Sequence, residues 1–218
     1  MKKQAYLYKS YDSPIINIDE AARRKTQLPD KWETWTYYDI VNLSPMVATI
    51  RTKKESSFTF KNNGSRTNHG NGSMGIAHAL VQQYLCKAED SWSFKIYGKT
   101  FNIIPLSVEE EYHIIDPETG KDRYIDCMIH LSEHCKHYNT FGGKIGVEVT
   151  DTSKTSKQKI NTFKRLNLNV LELKTLQGWH IDNKPVIEEH EVKLVRARIQ
   201  GFLNKAPSLS KLHLNNMI

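Results

Sequence analysis

The stretch Arg123-Tyr124-Ile125-Asp126-Cys127-Met128-Ile129-His130-Leu131, followed after a short loop by Lys144-Ile145-Gly146-Val147-Glu148-Val149-Thr150, decides how this chain is read. Both runs are apolar, rich in residues that favour strands, and interrupted by one central carboxylate. Asp126 has the opposite parity to Ile125, Cys127, Ile129 and Leu131, so strand alternation aims it away from the face those residues would bury. Glu148 is flanked in the same way by Val147 and Val149. If the strands are neighbours, two carboxylates converge, and such hard oxygen donors suit Mg²⁺ or Mn²⁺, with the Val149 carbonyl as a further ligand. A cation held there can orient a phosphate, activate a water and stabilise a departing oxygen.

Working outward, Val108 to Ile115 reads as a strand that turns at Asp116-Pro117-Glu118-Thr119-Gly120 into the first run. Before it, Ser91 to Tyr97 and Thr100 to Ile104 form a hairpin around a Gly98-Lys99 turn. Earlier still, Ile76, Leu80 and Tyr84, with Val81 and Leu85 beside them, mark one apolar stripe of a helix that Ser73 can cap. On the other side, Thr152 or Ser153 is placed to cap a helix in which Ile160, Phe163 and Leu166 share a face, and Asn167 to Lys174 reads as a strand. Val192, Val195, Ile199 and Phe202 then predict a final amphipathic helix.

Residues 1–63 carry short alternating runs, among them Val47 to Arg51 and Ser57 to Phe60, and the Asn-, Gly- and Ser-dense segment after them is the best boundary in the chain. The expected organisation is a β-rich module over 1–63, a linker over 64–72, a core over 73–180, and a C-terminal helix and tail over 181–218. The fold class is α/β, with the core ordered as helix, mixed β-sheet, helix, strand.

Composition narrows the function classes. The 218 residues are 39% hydrophobic and 25% charged, with a net charge of +7, a balance that suits a polyanionic partner. No apolar run approaches the roughly 18 residues of a membrane span, so no membrane partner is expected. Met1-Lys2-Lys3-Gln4 is followed by polar and aromatic residues instead of a signal core, and Cys86, Cys127 and Cys135 have no framework spacing. Both features favour a reducing, cytoplasmic location.

Ile125-Asp126, a loop, Gly146-Val147-Glu148-Val149-Thr150, a basic helix and a strand together resemble the core of the PD-(D/E)xK nuclease superfamily. That resemblance implies a restriction-endonuclease-like fold, DNA as substrate, metal binding by Asp126 and Glu148, and a lysine two residues beyond the glutamate. Thr150 stands at that position and cannot supply the positive charge that stabilises hydroxide or the phosphorane. Some members of the superfamily relocate the lysine to the next helix, which here offers Lys154, Lys157 and Lys159, with Lys154 nearest the strand end. More specifically, the order of features resembles the CoiA-like competence proteins, through Ser57-Phe58-Thr59-Phe60-Lys61, Ser73-Met74-Gly75-Ile76-Ala77-His78 with Gln82, and the two carboxylate strands. Members of that family often have paired cysteines near the N-terminus, whereas residues 1–63 contain neither cysteine nor histidine, which excludes a zinc knuckle there.

Each of these residues also has a plainer reading. Asp126 and Glu148 could be solvent-facing strand carboxylates. The run from Lys154 to Arg165 has five basic residues and no acid, so Lys157, Lys159, Lys164 and Arg165 either track a phosphodiester backbone or form a solvated helix face. His78 and Gln82 lie one turn apart on their helix, where they could reach nucleic acid or metal, or simply pack. His130, His134, Cys135 and His137 form either a zinc site or a histidine-rich loop. Trp32, Trp35, Tyr37 and Tyr38 either stack on bases or fill a small β core. The seam of the final helix packs on the chain itself or on a second copy as a homodimer. Against catalysis stands a nuclease-fold protein that only binds nucleic acid or a protein partner.

Overall fold

The computed structural model describes residues 2–52, 54–61, 75–87, 91–151, 153–181 and 184–214, without the side chains of Trp32 and Glu33. The expected linker over 64–72, the Ser73 cap, the Met74 part of the family likeness, Thr152 and the Trp32 ring therefore lie outside the described residues. In chain order the elements are β1 (Gln4–Tyr6), β2 (Ile15–Asn17), α1 (Ile18–Gln27), β3 (Tyr37–Tyr38), β4 (Pro45–Thr49), β5 (Ser57–Phe60), α2 (Ile76–Cys86), β6 (Trp92–Ile96), β7 (Lys99–Ile103), β8 (Pro105–Ile115), β9 (Asp122–Leu131), α3 (Tyr138–Phe141), β10 (Lys144–Thr150), α4 (Lys157–Arg165), β11 (Val170–Lys174), β12 (Val186–Ile187), α5 (Glu189–Leu203) and β13 (Ser210–His213).

They form two compact units, Met1–Leu80 with Gly178–Ala197, and Val81–Gln177 with Arg198–Ile218. This division departs from a terminal helix and tail over 181–218. Beyond Gln177 the chain returns to both units, because β12 pairs with β2 and β13 pairs with β11. Val186-Ile187 is too short to alternate, and Ser210-Lys211-Leu212-His213 holds a single apolar residue, so neither is marked as a strand by its pattern.

The first unit is an antiparallel sheet in the order β12-β2-β1-β3-β4-β5. Helix α1 was not anticipated. Asn17 caps it by accepting the Glu20 N–H at 2.8 Å, and Ile18 and Ala21 join Ala5, Ile16, Tyr37, Met46 and Phe58 in one core. Tyr37 is thus core, its hydroxyl pushed up to about 12 by burial.

The second unit is a mixed sheet in the order β13-β11-β10-β9-β8, with the β6–β7 hairpin as a separate pair. Strands β8, β9 and β10 run antiparallel in succession, while β10 and β11 are parallel and joined through α4. The hairpin turn is Tyr97-Gly98, both at positive φ, one residue earlier than predicted, so Ile96 faces Lys99. Ser156, and not a residue nearer the strand, caps α4 by accepting the Lys159 N–H. The helix lays Phe163 against Ile114, Ile125, Met128, Leu168 and Val170, a burial that stabilises the unit by about 1.5–3 kcal/mol.

Helix α2 is enclosed nearly all round instead of along one stripe: Ala77, Ala79, Gln82 and Gln83 are buried besides the apolar positions. In α5, Val192, Val195 and Ile199 of the predicted seam are buried, Phe202 is half-buried, and Leu203 beside it is buried. Among the described residues no helix is long and apolar enough to cross a membrane.

Candidate active site around Asp126 and Glu148

Strict alternation along β9 fails at the residue that matters. Ile125 and Met128 both pack in the cluster beneath α4, although they are three apart. Cys127, between them, instead contacts α2, its sulfur 3.6 Å from that of Cys86. The alternation therefore slips once around Asp126, and the parity argument that placed Ile125 and Cys127 on one face does not hold. The neighbouring strand shows the counterpart. Glu111, at φ 50° and buried, falls between the pairs Glu110–Cys127 and Tyr112–Ile125, opposite Asp126.

On the other side, β9 and β10 pair from Lys144–His130 to Val147–Cys127, and the register stops there. At that opening the Asp126 Oδ2 accepts the Val149 N–H at 2.7 Å, so a carboxylate occupies the place of a ladder carbonyl. Gly146 permits the approach of the strands just below. A Cβ at that position would meet Ile125 Cγ2 at 3.1 Å and Val170 Cγ2 at 3.2 Å.

Gln82 fixes Asp126 from α2. Its side-chain N–H donates to the Asp126 carbonyl at 2.8 Å, and the residue has no exposed surface. Gln82, read from the sequence as a candidate nucleic-acid contact, is thus wholly buried and holds the strand at Asp126. His78, earlier on the same helix, is half-buried.

Glu148 is only 4% exposed, and its Oε2 accepts from Lys159 Nζ at 2.6 Å. Of the three lysines offered by the helix, Lys159 is thus the one brought to the carboxylate. Lys154 is exposed in the loop before α4, and Lys157 and Lys164 are exposed on the helix. The cause is helical geometry: with Ser156 as cap, Lys159 and Phe163 lie four apart on the face turned to the sheet. Arg165 is committed elsewhere, to Asp116 at 3.0 Å and to Glu118, and is not a dedicated backbone contact.

Two residues near the site escaped the sequence reading. Glu172 is the register partner of Glu148 on β11, and it accepts from the Thr155 hydroxyl at 3.1 Å and from its N–H at 3.4 Å. Lys174 is the register partner of Thr150, which sets a lysine beside the strand position that lacks one. The signal for Glu172 was present, since Leu171-Glu172-Leu173 repeats the pattern of Val147-Glu148-Val149. The pairing of β10 with β11, which a sequence does not display, gives it meaning.

The donors at this site are hard carboxylate oxygens with a neighbouring carbonyl, which fit Mg²⁺ or Mn²⁺ completed by water better than zinc. Among the described residues no group of three or more His, Cys, Asp or Glu side chains gathers as a metal cage. Of the residues of the zinc alternative, His130 pairs with Glu109 at 2.6 Å, Cys135 points its sulfur at the Asn102 carbonyl, and His137 lies against Phe101. Burial among these groups holds the His137 imidazole below its usual range.

Compared with models of known protein families, with curated proteins and with solved structures, the chain matches none.

Proposed function

We propose that the chain is a metal-dependent nuclease that hydrolyses DNA phosphodiester bonds, in DNA processing, uptake or defence, with residues 81–177 as a variant of the PD-(D/E)xK core that resembles the CoiA-like competence proteins. The observation that carries this reading is Glu148: a carboxylate 4% exposed, in mid-strand, held by a lysine from the following helix and one residue from the N–H that binds Asp126. Burying a charged pair costs several kcal/mol that apolar side chains of similar size would not, and placing Glu172 in register with Glu148 adds like-charge repulsion. Such costs concentrate at functional sites.

In this reading Asp126 and Glu148 hold Mg²⁺ or Mn²⁺, with the Val149 carbonyl as neighbour. A bound cation of this type supplies charge neutralisation at phosphate and a more acidic water. Gln82 fixes the β9 backbone at Asp126, and Lys159 holds the Glu148 carboxylate and brings the positive charge that Thr150 lacks. Lys157 and Lys164, exposed on α4, give the backbone its electrostatic track.

The test is incubation of single- and double-stranded DNA with Mg²⁺ or Mn²⁺, beside Asp126→Asn, Glu148→Gln and Lys159→Met. Cleavage by the parent protein that the first two variants lose supports the nuclease. A second reading, a nuclease-fold protein that binds DNA without cutting it, is favoured by Thr150. It predicts salt-sensitive DNA binding by all four proteins and cleavage by none.

A further inference from the structure

The first unit holds a pocket of about 530 Å³ remote in sequence from every residue discussed above as catalytic, lined in part by Tyr8, Lys9, Arg24, Trp35 and Tyr38. Its volume lies within the ~300–1,000 Å³ typical of small-ligand sites. Three aromatic side chains and two cations around one concavity are an unusual lining, and the two kinds of residue call for different halves of one ligand.

Tyr8 is 61% exposed, so its ring is not there to fill the core. Its backbone is nonetheless fixed: the Tyr8 N–H donates to the buried Ser13 hydroxyl at 2.8 Å, and the Leu7 N–H donates to the Pro14 carbonyl at 2.9 Å. A ring held out by a fixed loop is preorganised for stacking, at less entropic cost than a mobile one. Among the other lining residues, Tyr38 stands in register with Tyr6 on the adjacent strand, and Trp35 packs partly on the unit's core, so their backbone placement is fixed as well.

The charge is one-sided. Glu20 accepts from Arg23 at 2.7 Å and from Arg24 at 2.8 Å, so two guanidinium groups answer one carboxylate and the three side chains together carry one net positive charge, with Arg24 lining the pocket. Lys9 is exposed on the loop that carries Tyr8, and Lys61 donates to the hydroxyl of Thr36, another lining residue. A ligand that fits carries a flat aromatic group beside an anion.

We propose that this pocket binds one nucleotide of a single-stranded DNA, with the base against Tyr8, Trp35 and Tyr38 and the phosphate at Lys9 and Arg24. The proposal rests on the reading of the chain as a protein that acts on DNA, and it gives the first unit a role in presenting single strands. Stacking on aromatic residues is sequence-tolerant, because every base has a π-face, so the pocket serves as a general grip without specifying a sequence.

The experiment uses the full chain in EDTA, which separates binding from cleavage, with fluorescence anisotropy of a labelled oligothymidylate. Tyr8→Ala is expected to weaken binding about ten-fold, as loss of one stacked base does, while Tyr8→Phe binds like the parent. Lys9→Ala is expected to weaken binding and to flatten its salt dependence. Thymidine monophosphate should compete well below the concentration at which inorganic phosphate does. Equal binding by Tyr8→Ala and the parent, or equal competition by phosphate alone, overturns the pocket. The two readings fail separately. A protein that cuts DNA in Mg²⁺ but ignores both substitutions keeps its nuclease site and loses this one, whereas one that never cuts yet needs Tyr8 and Lys9 to bind keeps the pocket and loses the nuclease.

Discussion

Asp126 Oδ2 accepts the main-chain N–H of Val149 at 2.7 Å, so a side chain, and not a carbonyl, closes the ladder where β9 and β10 part. Removing that acceptor leaves a part-buried N–H unsatisfied. Asp126→Ala is expected to lower unfolding stability by about 1–3 kcal/mol, whereas Asp126→Asn keeps an oxygen for Val149 and costs less than about 1 kcal/mol. Both remove the charge. Urea unfolding run beside a DNA-cleavage assay should therefore find Asp126→Asn folded and inactive. An active Asp126→Asn would mean that the charge has no catalytic part.

The Glu148–Lys159 pair makes the sharpest statement about which lysine matters. Lys159→Met takes the lysine from a carboxylate whose side chain is only 6% exposed, and the expected loss is about 2–4 kcal/mol, below that of a fully buried pair because the lysine side chain keeps 22% exposure. The double variant Glu148→Gln/Lys159→Met should recover much of that loss, since no charge remains buried. Lys154→Ala, on an exposed residue, should change stability by less than about 0.5 kcal/mol. A double-mutant cycle checks all of this. Coupling near zero between Glu148 and Lys159, or a cleavage defect in Lys154→Ala as deep as in Lys159→Met, would move the role away from Lys159.

Strong periodic segments were legible in the sequence, and contacts between them were not. The runs Lys144–Thr150 and Ser57–Phe60 are strands over the residues that alternation marks. Asp126 binds the Val149 N–H where β9 and β10 part, one residue from Glu148, but the parity that pointed to this pair breaks at Asp126, opposite Glu111 at φ 50°. Choosing Lys154 by distance along the chain ignored the cap: a helix that starts at Ser156 brings Lys159 round to the sheet. Helix α1 lies outside the sequence reading although Asn17 and Glu20 have the spacing of a capping box, because it is only ten residues long and follows directly on β2. Gln82 looked like a surface polar residue because nothing in its helix announces that strand β9 covers its polar side.

Gly146 is where the sheet tolerates least. Its φ is ordinary, and what excludes a side chain is space: Ile125 and Val170 approach from both neighbouring strands, to 3.1 and 3.2 Å from the point a methyl carbon would occupy. Gly146→Ala is expected to cost about 1–3 kcal/mol by overpacking. Val170→Ala in the same chain removes methyls that the new carbon would meet, so the double variant should lose less than the sum of the two single variants, which thermal unfolding of all three would read. Additive losses would mean that the strands move apart instead of the side chains giving way.

Acid sensitivity has a named source in Asp116. Its buried carboxylate accepts from the Thr162 hydroxyl at 2.5 Å, from Arg165 at 3.0 Å, and from the N–H groups of Glu118 and Thr119, which ties the β8–β9 turn to α4. The Thr162 hydrogen bond foremost, with those N–H groups and Arg165 after it, lowers the carboxyl to about 2. A carboxyl depressed in the folded state binds fewer protons than in the unfolded chain, so its contribution is present above the unfolded value of about 3.9 and is lost as pH falls through the folded one. Glu20, lowered to about 2 chiefly by its Arg23 hydrogen bond, acts in the same window. Asp116→Asn removes one of the two. Its urea midpoint should lie below the parent's at pH 7, and the gap should narrow between about pH 4 and pH 2 as the parent's carboxyl takes up its proton. A gap that stays constant over that range would mean that Asp116 acts by shape and hydrogen-bond count, and that the charge facing Arg165 adds nothing to the hold of the turn on α4.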